Sequence, residues 1–275
     1  MEALLSTEAE ALFSDEYAQK LETLAKDKAQ DYKNAKPFPH IYFDDFLPAE
    51  VAEAAHRDFP QPKDLTWTEF NQPTQRKLAF DSVEKLPPSV RNVFLFLNTS
   101  SMLKFLEILT GIKGVVSDPY YAGGGLHQIK PGGNLEVHAD FNFHPKLKLD
   151  RRINVLIYMN KDWKDEYGGH FELWNKEMTA AEQKILPIFN RCAIFSTTST
   201  SYHGHPTPLK CPPDRTRKSM ATYYYSVGRP EEEVSDAHST LFQQRPGTVH
   251  HVGLKEIVVA MTPPILMNAA KMLRH

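Results

Sequence analysis

The chain has 275 residues, 41% of them hydrophobic and 24% charged, with a formal net charge of -2. That is ample for a buried core, and it gives no general pull toward nucleic acid or anionic membranes, so neither is expected as a partner. Two cysteines, Cys192 and Cys211, exclude a disulfide scaffold and a cysteine-rich zinc module.

The N-terminal MEALLSTEAEALFSDE lacks a basic region followed by an apolar stretch, so no secretory signal is read there and a cytoplasmic setting is expected. Apolar positions at Leu12, Phe13, Tyr17, Leu21, Leu24 and Ala25 predict one helix over 6–33, capped by Ser6 or Thr7 and ended by Pro37-Phe38-Pro39. HIYFDDFL from His40 reads as a short strand, and Pro48 opens a helix through Phe59. Residues 60–85 carry no clear period. Residues 88–109 predict one or two helices with Phe94, Leu97, Leu103, Phe105, Leu106 and Leu109 as the buried face.

From Gly123 the texture changes. Short β-rich runs recur at 126–129, 134–140, 153–159, 170–174, 186–189, 193–196, 203–206 and 220–226, separated by Gly, Pro and Asn. Such a series predicts a double-stranded β-helix, or jelly roll. Strand signals fade after Val227, and 228–275 reads as helical and peripheral, with a terminal helix over 266–273. The apolar run at 257–261 is too short to span a bilayer. The expected class is therefore α+β with a mainly β core. An N-terminal helical region over 1–117, a jelly-roll core over 118–227 and a C-terminal helical extension over 228–275 would form one continuous domain.

His138-Ala139-Asp140, with His203 further on, is the most informative pattern. Two imidazoles and one carboxylate are the ligand set of mononuclear non-haem iron(II) oxygenases and leave one side of the metal open. In a strand, residues i and i+2 share a face, so His138 and Asp140 can point together, with His203 expected from a strand of the facing sheet. His127, His144, His170 and His205 are rivals among the 12 histidines. Downstream, Arg217 opens the run MATYYYS. An arginine at the mouth of a jelly roll can grip a carboxylate through parallel hydrogen bonds, and Ser219, on the same face, can add another. Arg215 competes for that role.

Five motifs stand in order: H-x-D at His138 and Asp140, INVLIYMNKDW from Ile153, GGHFELW from Gly168, AIFSTTSTSYHGHP from Ala193 and RKSMATYYYS from Arg217. Together they resemble the iron(II)- and 2-oxoglutarate-dependent dioxygenases of the prolyl 4-hydroxylase-like branch, over roughly residues 118–227. The resemblance implies that His138, Asp140 and His203 bind Fe(II), with His205 as the alternative to His203. It implies that Arg217, helped by Tyr158 and Ser219, holds the distal carboxylate of 2-oxoglutarate, with Arg215 as the alternative. O2 would be the third participant. No side chain beyond the metal centre is expected to act chemically. Asp140 favours hydroxylation over halogenation, since halogenases of this class lack the carboxylate. The expected reaction is oxidation of an unactivated C–H bond in a small molecule or a peptidyl residue, with release of succinate and CO2. Tyr120, His127, Phe141 and Arg152 are candidates to line the entrance and touch substrate. A cupin-like metal enzyme that uses no 2-oxoglutarate, and a non-catalytic jelly-roll binding protein, are the alternatives. Neither the substrate nor the oligomeric state can be read from the chain.

Overall fold

The structure, a computed structural model, describes residues 7–247; the helix expected over 266–273 lies outside them. The single helix expected over 6–33 is two, α1 (Thr7–Leu12) and α2 (Asp15–Asn34). The break is Ser14. Its backbone is extended and its hydroxyl accepts the Tyr17 N–H at 3.2 Å, so it caps a new helix instead of continuing the old one. After β1 (His40–Phe43) and α3 (Ala49–Arg57), the unassigned stretch forms a hairpin of β2 (Thr68–Gln72) and β3 (Gln75–Phe80). The next apolar run forms α4 (Pro88–Leu97) and α5 (Ser100–Thr110), divided by the cap residue Thr99.

The remaining strands are β4 (Val116–Ser117), β5 (Gly125–Ile129), β6 (Leu135–Ala139), β7 (Phe143–His144), β8 (Leu149–Tyr158), β9 (Phe171–Trp174), β10 (Ala181–Ile185), β11 (Cys192–Ser196), β12 (His203–His205), β13 (Arg217–Ser226) and β14 (Leu241–Phe242). They pair antiparallel in the order β1-β11-β8-β13-β5-β3-β6-β12-β9-β10, a curled sheet of jelly-roll type. The expected strand at 186–189 is absent. Pro187 there has no N–H to give a ladder, and the pairing partner of β9 is instead the polar edge strand β10.

Side-chain alternation separates two environments. On β8, Ile153, Val155 and Ile157 face the helices; on β11, Cys192 and Ile194 do so; on β13, Met220 and Tyr224. All join one core with Leu21, Tyr32, Phe94, Phe105 and Leu106. The opposite set, Asn154, Leu156, Phe195, Arg217, Ser219 and Tyr223, faces the interior of the curled sheet.

One irregularity resets this alternation. Tyr224 pairs with Ile153 but Tyr225 pairs with Arg151, so Arg152 is an extra residue on β8. Past the bulge the odd-numbered Arg151 points inward and Arg152 points away.

The rest of the segment after Val227, 248–275, lies outside the described residues, and the described part is not the helix expected there. Over 228–247 it carries one short 3-10 turn, Glu231–Glu233, and then β14, which pairs with β6 and sets Phe242 opposite His138. The described residues up to Gln243 form one compact unit. Among the described residues no single helix is long and apolar enough to cross a membrane.

Gly125 fixes how closely β3 and β5 approach. Its φ is +90°, and a Cβ there would sit 2.1 Å from the Phe80 carbonyl oxygen. Gly125→Ala is expected to lower stability by about 3 kcal/mol, read as a reduced denaturation midpoint in urea with an unchanged slope.

Candidate metal centre

His138 lies near the end of β6, Asp140 just beyond it, and His203 opens β12. His203 pairs directly with His138 in the antiparallel ladder. It therefore arrives from the neighbouring strand, not from a facing sheet as expected, because β12 is the strand laid against β6. The ring centroids of the two histidines are 4.5 Å apart. Ligand atoms of His138, Asp140 and His203 all lie within 4.8 Å of one another, the one such cluster among the described residues.

Each imidazole is oriented by its other nitrogen. His138 Nδ1 lies 2.8 Å from the Glu136 carbonyl, and His203 Nδ1 lies 2.9 Å from the Ser201 carbonyl. A carbonyl only accepts, so both Nδ1 atoms carry hydrogen and both Nε2 lone pairs are free. Those Nε2 atoms stand 3.6 and 3.3 Å from the Asp140 carboxylate. Asp140 Oδ2 accepts from Arg151 Nη2 at 2.9 Å and from Asn154 Nδ2 at 2.7 Å, which leaves Oδ1 turned toward His138.

The electrostatics suit a cation. Burial alone would raise the Asp140 carboxyl, but Arg151, with His203 and His138, outweighs it and holds the group well below the usual carboxylate range. Burial lowers His138, as does the neighbouring His203, so its imidazole stays neutral to a lower pH than a free one. A carboxylate and two neutral imidazoles with open lone pairs are the donor set that iron(II) takes.

The three ligands line a cavity of about 240 Å³. Arg217 and Ser219 are on its wall, whereas Arg215 bonds to the Lys161 carbonyl and is not among the lining residues. Arg217 Nε donates to the Gly169 carbonyl at 2.8 Å, and its guanidinium lies 4.9 Å from the Tyr158 ring centroid. Gly169 is needed here: a Cβ would come within 2.9 Å of Arg217 Cδ. Tyr158 is wholly buried behind Arg217 rather than on the cavity wall. Its hydroxyl and both ring nitrogens of His205 are buried without an aligned hydrogen-bond partner. His205 lines the same cavity but is outside the ligand cluster, which separates it from His203. Burial, then Arg217, Lys77 and His138, push it well below the ordinary histidine range.

Of the residues expected at the entrance, His127 and Phe141 line the cavity. Tyr120 does not: it is half exposed and packs on His144. Arg152 does not either, because the β8 bulge turns it outward, where it bonds to Ser226, the Gly228 carbonyl and Glu233. Arg151 takes the inward place that simple alternation assigns to Arg152. It is sandwiched between Tyr223, at 3.4 Å, and Phe141, at 4.4 Å, while bonding to Asp140 and to Asn154. Phe70, Gln75 and Lys77 of the β2–β3 hairpin and Thr240 and Phe242 also line the cavity; their segments had no readable period or were read as helix.

His203→Ala or Asp140→Ala is expected to weaken divalent-metal binding at least about 100-fold, and His205→Ala only a few-fold, by anaerobic calorimetry. Arg151→Met should weaken it roughly 10-fold, since the carboxylate loses its orienting partner. With His138 shifted below its ordinary value, its protonation should compete with the metal only at a lower pH than that of an unperturbed histidine; a His138 ring resonance that titrates at or above the free-histidine value by NMR would contradict that shift.

Residues 124–225 match the family model described as the 2OG-Fe(II) oxygenase superfamily. No curated protein matches the chain in sequence. Among solved structures, the chain is similar to a prolyl hydroxylase from Trichoplax adhaerens in complex with a hypoxia inducible factor peptide fragment. The identity is 16% and the TM-score 0.51, over 78% of this chain and 94% of that one. A Pseudomonas putida prolyl-4-hydroxylase matches with 16% identity and TM-score 0.51, over 74% and 99% of the two chains. HygX from Streptomyces hygroscopicus, with nickel and 2-oxoglutarate bound, matches with 9% identity and TM-score 0.51, over 78% and 96%. At these identities the solved structures speak to the fold, and the matched segment speaks to the chemistry. Residues 124–225 thus carry a 2OG-Fe(II) oxygenase domain on a prolyl 4-hydroxylase-like jelly roll, and the chain is an oxidoreductase of the dioxygenase class that uses Fe(II), 2-oxoglutarate and O2.

Proposed function

We propose that the chain hydroxylates an unactivated C–H bond of a small molecule or a peptidyl residue, releasing succinate and CO2. One observation carries this reading: three ligand atoms with free lone pairs meet on one side of a cavity whose other wall presents Arg217. The jelly-roll core over 118–227 would be the catalytic part, with the N-terminal helices as its outer support.

His138 Nε2, Asp140 Oδ1 and His203 Nε2 would hold Fe(II). Arg217 would bind the distal carboxylate of 2-oxoglutarate through its terminal guanidinium nitrogens, held in place by Gly169. Ser219 would add a hydroxyl from the same strand face. The buried His205 nitrogens, without a hydrogen-bond partner, and the Tyr158 hydroxyl, approached by Arg217 but not aligned with it, fit a polar guest near Arg217, because such atoms in a folded protein usually have partners. Bound Fe(II) and 2-oxoglutarate would together activate O2, the oxidant that converts 2-oxoglutarate to succinate and CO2 and hydroxylates the C–H bond. The protein's part is to keep one metal face open, orient the two imidazoles and the carboxylate through Glu136, Ser201, Arg151 and Asn154, and wall the cavity with Phe70, Phe141, Phe171, Phe195, Tyr223 and Phe242 against bulk water.

Anaerobic addition of 2-oxoglutarate to the Fe(II)-loaded protein should produce the visible charge-transfer band of the chelate. Arg217→Met should raise the Kd for 2-oxoglutarate about 100-fold, the scale of a lost charge-assisted pair. Asp140→Ala should abolish substrate-dependent succinate formation. An Arg217→Met protein that binds 2-oxoglutarate as tightly as the native chain would favour a metal enzyme without an oxoacid.

A further inference from the structure

The cavity holds a cation that neither the metal ligands nor the arginine clamp accounts for. Lys77 lies on β3, which runs between β5 and β6, with Leu78 paired to Gln128 and Gln75 to Leu135. Alternation sends Leu78 into the outer core and turns Gln75 and Lys77 inward, where both line the cavity. A lysine on the inner face of a sheet, beside a catalytic cavity, is costly unless something answers its charge.

No described residue does so directly. Among the described residues Lys77 has no ion pair within 4.0 Å and no side-chain hydrogen bond; its close neighbour is the Phe70 ring, 5.3 Å from Nζ. Asp140 is the acid that attracts it, but that carboxylate is already held by Arg151 and Asn154 and turned toward the imidazoles. Glu136, the other acid on β6, does not line the cavity.

Lys77 and Arg217 stand on the two strands that flank β5, and both act on His127 and His205, but their other neighbours differ. Lys77 interacts with Asp140 and Arg151, on the side of the metal ligands. Arg217 interacts with Tyr158. Once 2-oxoglutarate occupies Arg217 and Fe(II), the cations of the cavity, with Arg151 and Lys77 among them, outnumber its anions, and Lys77 is the one without a partner.

We propose that Lys77 binds a carboxylate of the primary substrate, so that the enzyme acts on a small carboxylic acid or free amino acid held between Lys77 and the metal face. The cavity, about 240 Å³ for substrate and co-substrate together, suits a small acid better than a bulky group. Phe70, Phe141, Tyr223 and Phe242 supply apolar walls for its carbon skeleton. This assignment rests on the 2-oxoglutarate reading above.

The test uses the full-length Fe(II)-loaded protein and a panel of free amino acids and simple dicarboxylic acids, each beside its primary carboxamide. Binding to the anaerobic Fe(II)–2-oxoglutarate protein is followed by calorimetry and by perturbation of the visible band, and succinate release is followed in air. The expected result is a preference of at least about 10-fold for an acid over its amide in the native protein. Lys77→Met should cut binding of that acid by about 10-fold or more while leaving its amide and 2-oxoglutarate within about two-fold, and Lys77→Arg should keep most of the preference. The proposal is overturned if no acid is preferred over its amide, or if Lys77→Met keeps the preference. It is also overturned if Lys77→Met loses 2-oxoglutarate affinity instead, which would assign Lys77 to the co-substrate. A native protein that forms no chelate band with Fe(II) and 2-oxoglutarate would defeat the functional reading itself, a separate outcome from the acid preference.

Discussion

The ladder between β6 and β12 sets His203 opposite His138, and the rest of the site depends on that pairing. Cross-strand neighbours in an antiparallel pair bring their Cβ atoms within about 5.5 Å, so two imidazoles can reach a common point without any loop having to fold over them. The next inward position along β6 is Asp140, and the carbonyls of Glu136 and Ser201 turn both rings so that their Nε2 lone pairs meet. The strands β12 and β14 flank β6 at this point, the latter with Phe242 against His138. The site is thereby built on paired backbone, where positions are held more tightly than on loops.

Alternation carries the same logic around the sheet. One face of β8, β11 and β13 is apolar and is covered by the helices; the other carries Asn154, Arg217, Ser219 and Tyr223 into the cavity. A single shift of register would exchange these faces, so burial of the outer face against Leu21, Phe94 and Phe105 is also what aims the polar residues inward. The bulge at Arg152 makes a local exchange of this kind. It brings Arg151 under Asp140 and sends Arg152 to Glu233, so two adjacent arginines serve the ligand carboxylate and the far end of the strand respectively.

The fold class, the strand series over 126–226 apart from 186–189, and the clustering of His138, Asp140 and His203 were legible because each rests on local pattern: short β-branched runs, turn residues and an H-x-D spacing. That Arg217 and not Arg215 lines the cavity, and that His203 and not His205 joins the cluster with His138 and Asp140, needed three dimensions, since the members of each pair are two residues apart. Arg152 was the natural inward choice by alternation, and an inserted residue that leaves no trace in composition overruled it. The polar strand β10 hid because an exposed edge needs no apolar period. The helix break at Ser14 is a hydroxyl winning the Tyr17 N–H, a contest that apolar spacing does not register. Lys77, the hairpin residues and β14 escaped notice because their roles come from strands that pair far along the chain.

These features describe a cavity whose wall carries the His138, Asp140 and His203 cluster and two further cations, Arg217 and Lys77. A structure of the full chain with Mn(II), 2-oxoglutarate and no oxygen would test it most directly. The account predicts the metal on His138 Nε2, Asp140 and His203 Nε2, with the distal carboxylate of 2-oxoglutarate on Arg217 and Lys77 left open to the remaining space. A metal bound through His205 in place of His203, or a distal carboxylate resting on Lys77, would contradict it.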